Sequence, residues 1–161
     1  MLIREERPED AGAIHALVTA AFNSNAEAAL VDALRADGDL VHSLVAAEGP
    51  DFLGHIAFSR MTAPFAALGL APLAVTPARQ GQGIGARLIE AGLALARRGD
   101  WRGVFVLGDP AYYGKFGFAP ALAAGFNCVY AGPHLMALPL GGDFPTHTGD
   151  VAYAPAFAAL G

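Results

Sequence analysis

Between Leu70 and Arg98 the chain passes from an apolar strand into an amphipathic helix through a turn with glycine at three alternate positions, Gly81, Gly83 and Gly85. The strand, Leu70 to Val75, ends at Pro77, and Arg79 and Gln80 flank the turn as charged and neutral donors. The first four N–H groups of a helix have no carbonyl partner within it, and the macrodipole adds partial positive charge at that end. An anion therefore docks there readily. Glycines remove the β-carbons that would hold a pyrophosphate away from those amides, and they open backbone angles closed to other residues. Spaced glycines alone also suit a plain connecting turn. Strand, glycines, helix and flanking donors together favour an anion cradle over plain punctuation.

The helix after the turn has Ile84, Leu88, Ile89, Gly92, Leu93, Leu95 and Ala96 on one side and Arg87, Glu90, Arg97 and Arg98 on the other. Arg97 and Arg98 complement its negative end, and Gly99 closes it. Gly103 to Leu107 is too uniformly apolar to face water on either side, which predicts a central strand. The two strands and the helix between them form one crossover, expected to be parallel and right-handed.

Upstream the pattern is antiparallel. Leu2 to Glu6 reads as a first strand, Pro8 opens a helix carrying Ile14, Leu17, Val18, Ala21 and Phe22, and Asn23 to Asn25 break it, with Asn25 placed to cap the next. The second helix buries Leu30, Val31 and Leu34 and stops at Asp37-Gly38, and its Glu27 and Asp32 read as a solvated face. Val41 to Ala47 and Phe52 to Met61 are strands joined by the turn cluster Glu48-Gly49-Pro50-Asp51. Period-two alternation puts Phe52, Gly54, Ile56 and Phe58 on one face and Leu53, His55, Ala57 and Ser59 on the other. Downstream, Asp109 caps a short helix begun by Pro110, bearing Tyr112 and Tyr113 and ended by Gly114 and Gly117. Two further strands, Phe126 to Tyr130 and His134 to Leu138, are joined by Ala131-Gly132-Pro133. Beyond Leu140 the composition predicts surface-wrapping coil with one short strand near Val151 to Tyr153.

With 54% hydrophobic and 16% charged residues, the 161 residues predict one folded domain, 1–161, and exclude general disorder. Ten Lys and Arg against fifteen Asp and Glu, a net charge of −5, argue against a nucleic-acid surface and suit a cationic partner better. The lone Cys128 excludes an internal disulfide and reads as a strand filler. The opening Met-Leu-Ile-Arg-Glu-Glu matches no leader, and no apolar run reaches membrane length, so a cytoplasmic protein without membrane association is expected. His15, His42, His134 and His147 show no metal-ligand spacing, so no metal is expected, and His55 reads as a structural histidine.

Two ligand classes suit the turn. Gly81, Gly83 and Ala86 satisfy G-x-G-x-x-A, and Asp109 lies near the end of the next strand, where a ribose-binding acid of a dinucleotide-dependent oxidoreductase belongs. Against this, Thr76 to Gln80 separate the strand from the first glycine, and the N-terminal half offers a hairpin in place of further parallel units.

The second class comes from resemblance. Gln80-Gly81-Gln82-Gly83-Ile84-Gly85 resembles the Q/R-x-x-G-x-G/A acetyl-CoA signature of the GNAT superfamily of N-acetyltransferases, preceded by a similar strand, Leu73-Ala74-Val75-Thr76-Pro77. Tyr113-Gly114-Lys115-Phe116-Gly117-Phe118 resembles its second mark, Y-x-[KR]-x-G-F, and the element order resembles that of its small bacterial members. The fold this implies is α/β (α+β): a mixed, mostly antiparallel sheet with a central splayed parallel strand pair, flanked by helices.

The resemblance also implies a site. Pantetheine would pair with the main chain of Leu73, Ala74 and Val75 as an added strand, the logic of β-augmentation. The pyrophosphate would rest on amides of Gln80, Gly81, Gln82, Gly83, Ile84, Gly85 and Ala86, with Arg79 beside it. The Val75 N–H would stabilise the oxyanion, and Tyr113, rather than its neighbour Tyr112, would protonate the leaving thiolate. Lys115 matches the basic position of the second mark. The family has no fixed general base, which leaves Glu27, His55 or water. The expected reaction is acetyl transfer from acetyl-CoA to a primary amine in a ternary complex, and a CoA-binding sensor without turnover is the alternative. The acceptor, a small molecule or peptide, would be chosen by Phe22 to Ala36 and the segment from Ala119 onward, and a homodimer is compatible with the family.

Overall fold

The computed structural model describes residues 1–160. Its main sheet has six strands: β1 (Leu2–Glu5), β2 (Leu40–Glu48), β3 (Asp51–Arg60), β4 (Ala67–Val75), β5 (Gly103–Leu107) and β7 (Leu135–Pro139), in that spatial order. Every neighbouring pair is antiparallel except β4 and β5, which are parallel and joined by helix α3 (Ile84–Arg98). The expected mixed sheet with one parallel crossover is therefore present.

The helices sandwich the sheet because its strands alternate apolar residues to both sides. Leu44, Ala46, Ile56 and Phe58 pack against Ile84, Leu88, Ile89 and Leu93 of α3. Val45 and Ala74, pointing the other way, meet Ile14 and Val18 of α1 (Ala11–Phe22) and Ala28 and Val31 of α2 (Ala26–Ala36).

The expected faces of β3 hold from Gly54 onward and invert before it. Ala46 pairs with Gly54 but Ala47 with Phe52, so Leu53 is an extra residue, a bulge that reverses the alternation. Leu53 consequently joins Ile56 and Phe58 beneath α3, whereas Phe52 packs on the side of α1 and α2.

The C-terminal third differs most from its sequence reading. The short helices α4 (Pro110–Tyr113) and α5 (Pro120–Ala123) precede β6, which is only Phe126–Asn127 and pairs with β8 (Gly149–Asp150), apart from the main sheet. The stretch expected to be surface coil supplies core: Phe144 and Val151 are buried against Phe105, Phe126 and Ala137. Phe144 stacks on Phe65 at 5.0 Å between ring centroids. β5 and β7 show an apolar face here that no long helix covers, and irregular chain covers it instead. The segment Pro155–Leu160 forms a short 3-10 helix against α2. Among the described residues no helix is long and apolar enough to cross a membrane.

Candidate active site

The site begins where the parallel pair comes apart. β4 and β5 pair from Ala67 and Gly103 only as far as Gly69 and Phe105, and β4 then continues to Val75 beside β3 alone. Ile56 pairs with Leu73 but Phe58 with Leu70, which places an extra residue in β4 at Ala71–Pro72. A bulge bends its strand, and proline brings no N–H to the ladder.

Past the bulge the backbone of β4 has one side free. The Thr76 amide donates to the Leu53 carbonyl at 2.9 Å. Backbone groups alternate in direction along a strand, so those of Val75 and Leu73 point away from β3, into the gap that β5 has left. The Gln80 side chain reaches into that gap and donates from Nε2 to the Val75 carbonyl at 3.1 Å.

Two cavities open from this gap and share Leu73. One, about 430 Å³, runs from Leu73 and Val75 along the glycine turn, with Tyr112 and Lys115 on its other side. The second, about 270 Å³, lies over Leu70 to Leu73, takes Tyr113 and Glu27 as polar walls, and is rimmed by Phe22, Leu30, Leu107 and Leu160.

The glycine turn has the backbone its sequence demands. Gly81 and Gly83 have φ of +79° and +82°, in the left-handed region, and Gly83 is the residue from which α3 starts. Gly85 answers a different need, since a β-carbon there would stand 3.1 Å from the Tyr112 hydroxyl. Arg79 donates from Nε to Gln82 Oε1 at 2.9 Å and from Nη1 to Glu48 Oε1 at 3.2 Å, tying the turn to the end of β2. That guanidinium holds the Glu48 carboxyl below the usual range. Arg79, Gln80, Gly81 and Gly83 to Ala86 thus lie along one groove with Leu73 and Val75, whereas Gln82 stays outside the lining, its side chain held by Arg79, and Ala74 is buried on the α1 side.

Tyr112 and Tyr113 separate cleanly. Tyr112 faces the glycine-turn groove under Lys115, whose ammonium sits 4.6 Å from its ring centroid. Tyr113 faces the second cavity, its ring against Gly108, where a β-carbon would come within 2.6 Å of it. Burial, with the neighbouring Tyr112, pushes the Tyr113 phenol up to about 12. Asp109, the candidate ribose-binding acid, accepts from the Ala111 amide at 3.0 Å as the cap of α4.

The two side chains considered as bases part company. Glu27, expected on a solvated face, is half-buried in the second cavity. His55 is wholly buried and lines neither cavity. Its Nε2 lies 2.8 Å from Ser43 Oγ, which donates to Glu6 Oε1 at 2.5 Å, so the hydroxyl accepts from Nε2–H. Glu6 in turn takes two bonds from Arg35, at 2.7 and 2.9 Å, and Arg35 and His15 both reach Asp32. This chain of polar groups pins α2 to the sheet.

Burial lowers the His55 pKa to about 4, against about 6.5 in an unfolded chain. Between those values the unfolded chain binds a proton that the native one refuses. Stability from this group is therefore complete above pH 6.5 and is lost as the pH falls to 4, by about 3 kcal/mol. Urea unfolding between pH 7 and 4.5 is expected to show that slope, and His55→Gln to flatten it.

Comparison with known proteins bears on the family and the fold. Residues 39–120 match the family model described as acetyltransferase (GNAT) domain. The chain belongs to the GNAT acetyltransferases, an acyltransferase family, and the oxidoreductase reading is thereby displaced. It is 41% identical over 136 residues to the uncharacterized N-acetyltransferase YhbS of Escherichia coli strain K12, covering 82% of this chain and 81% of that protein. The crystal structure of E. coli YhbS in complex with CoA superposes with a TM-score of 0.88 at 36% identity, covering 99% of this chain and 93% of that one. A GNAT acetyltransferase from Brucella melitensis in complex with acetyl-CoA gives 0.83 at 43% identity, with 97% of each chain covered.

Sequence reasoning named Glu27 as a candidate base and held Phe22 and Leu160 within the two segments expected to choose the acceptor, but it missed Leu107. Leu107 carried no signal in the sequence: it ends a uniformly apolar strand that is otherwise buried, and only the structure shows it 47% exposed.

Proposed function

We infer that this chain transfers the acetyl group of acetyl-CoA to a primary amine by direct attack in a ternary complex. One observation carries the reading: an unpaired edge of β4 runs from the glycine turn to the cavity that holds Tyr113. Pantetheine has two amides, which fit the backbone groups of Leu73 and the N–H of Val75 as a partner strand would, beside the Val75 carbonyl that Gln80 already bonds. Amides from Gln80 to Ala86, at the start of α3, suit the pyrophosphate, with Arg79 and Lys115 as nearby cations. The CoA and acetyl-CoA complexes of the two relatives above support the same choice of donor. Residues 1–161 are read as one acyltransferase domain of the cytoplasm.

Acetyl-CoA supplies an activated acyl carbon, and the residues of the chain manage charge around it. The amine nitrogen forms the new C–N bond as the thioester C–S bond breaks. The Val75 N–H, aimed into the gap, receives the negative charge that develops on the thioester oxygen. Tyr113 protonates the departing sulfur, and the proton lost by the amine restores the phenol, so one further proton from the original ammonium leaves to solvent. A phenol at about 12 is a weak acid for a free thiol. The same burial raises a thiolate's proton affinity and narrows the difference.

Purified protein is expected to bind acetyl-CoA saturably by calorimetry and to show no saturable binding of NAD(P). The reverse result would sink the proposal. Gly83→Val, which forces a β-branched residue to a φ of +82°, is expected to weaken acetyl-CoA binding tenfold or more by turning amides out of the cradle.

A further inference from the structure

We propose that the acceptor is a small primary monoamine on an apolar body, alkyl or aryl-alkyl, with its ammonium at Glu27 and its body against Phe22, Leu30, Leu107 and Leu160. This acceptor class rests on the acetyltransferase reading and narrows it.

The first support is where the wet apolar side chains lie. Six large hydrophobic residues are exposed among the described residues, and three of them, Phe22 at 40%, Leu107 at 47% and Leu160 at 39%, line this one cavity. Single exposed apolar residues are ordinary, but a concentration around a concave site marks a place that apolar surface fills.

The second support is charge. Glu27 is the only carboxylate of the lining, and no Lys, Arg or His lines it. One negative charge among apolar walls matches one ammonium. A polyamine or an aminoglycoside would press further ammonium groups against the apolar rim, where a charge without a partner is strongly disfavoured. A free amino acid would bring a carboxylate toward Glu27 with no cation to receive it. A peptide terminus would bring amide groups, and Glu27 and Tyr113 are the only side chains of the lining able to hydrogen-bond them. Pro72, in the floor, offers no N–H.

The third support is position. The cavity shares Leu73 with the groove read as the donor's path and contains Tyr113, so an amine seated in it stands beside the group assigned to the leaving sulfur.

The test is a panel followed by thiol release and, independently, by calorimetric binding to the CoA-loaded protein. 2-Phenylethylamine and hexylamine are expected to bind and be acetylated. Spermidine, an aminoglycoside, leucine and a Leu-Ala dipeptide are expected to give kcat/KM values at least tenfold lower. Glu27→Gln is expected to raise KM and Kd for the monoamines roughly tenfold to a hundredfold, the worth of a hydrogen bond to a charged group, with kcat changed less than threefold. Phe22→Ser, on an exposed rim, is expected to weaken phenylethylamine binding and leave acetyl-CoA binding unchanged. Equal or better turnover of spermidine, aminoglycoside, amino acid or peptide, or failure of the monoamines to bind, overturns the acceptor class. Absence of acetyl-CoA binding, or monoamine binding without thiol release, overturns the acetyltransferase reading beneath it.

Discussion

Tyr113→Phe is expected to lower kcat by about 10²- to 10³-fold while leaving KM for acetyl-CoA within about threefold, the range set by loss of a positioned general acid. The substitution removes one oxygen and keeps the ring, so the packing against Gly108 and the edge contact with Phe118 at 6.0 Å survive. Tyr112→Phe, on the donor side of Leu73, is the matched control and is expected to act mainly on KM for acetyl-CoA. Stopped turnover with equilibrium binding separates the two, and an unchanged kcat in Tyr113→Phe would remove the acid assignment. The phenol also fixes a pH expectation. With its pKa raised to about 12, Tyr113 stays protonated throughout the range in which the protein is folded and assayed. Any rise of kcat/KM with pH between 7 and 10 then reports deprotonation of the amine, and Tyr113→Phe should keep its shape at a lower height.

Gly92→Ala is expected to destabilise the fold by about 2 kcal/mol, although alanine is the better helix former by about 1 kcal/mol. Gly92 lies inside α3 over β3, and a β-carbon there would stand 2.1 Å from Cε1 and 2.5 Å from Cζ of Phe58, a ring with no exposure at all. Helix and sheet are as close as a missing side chain permits, so the added methyl must move a packed aromatic or the helix axis. For a chain of this size the loss corresponds to a fall in Tm of roughly 4–8 °C. Phe58→Leu makes room at the point of collision, so Gly92→Ala should cost much less in that background, a coupling that a double-mutant cycle measures. A stabilising Gly92→Ala would show that the contact is looser than these distances.

Most of the sheet was legible from its patterns: the turn cluster that separates β2 from β3, alternation in β3, the apolar face of α3, the uniform apolarity of β5. The glycine turn was legible for another reason, since positive φ at Gly81 and Gly83 is a demand few other residues can meet. The inversion at Leu53 was hidden because a bulge adds one residue without changing the composition of its strand. Phe144 and Val151 were hidden because an irregular segment has no period by which buried residues can be recognised. Glu27 was read as solvated on helical spacing alone, and its position beside Leu73 and Tyr113 depends on where β4 and β5 part. A gap between two strands is a property of pairing at a distance, and no local pattern records it.

That gap sets the terms on which two molecules meet. Leu73 stands in the wall of both cavities, so a donor lying along β4 supplies part of the surface that an acceptor touches. On the proposed path, donor and amine each complete the other's site. Linkage then requires the help to be mutual: whatever factor acetyl-CoA adds to the affinity for the amine, the amine returns to acetyl-CoA.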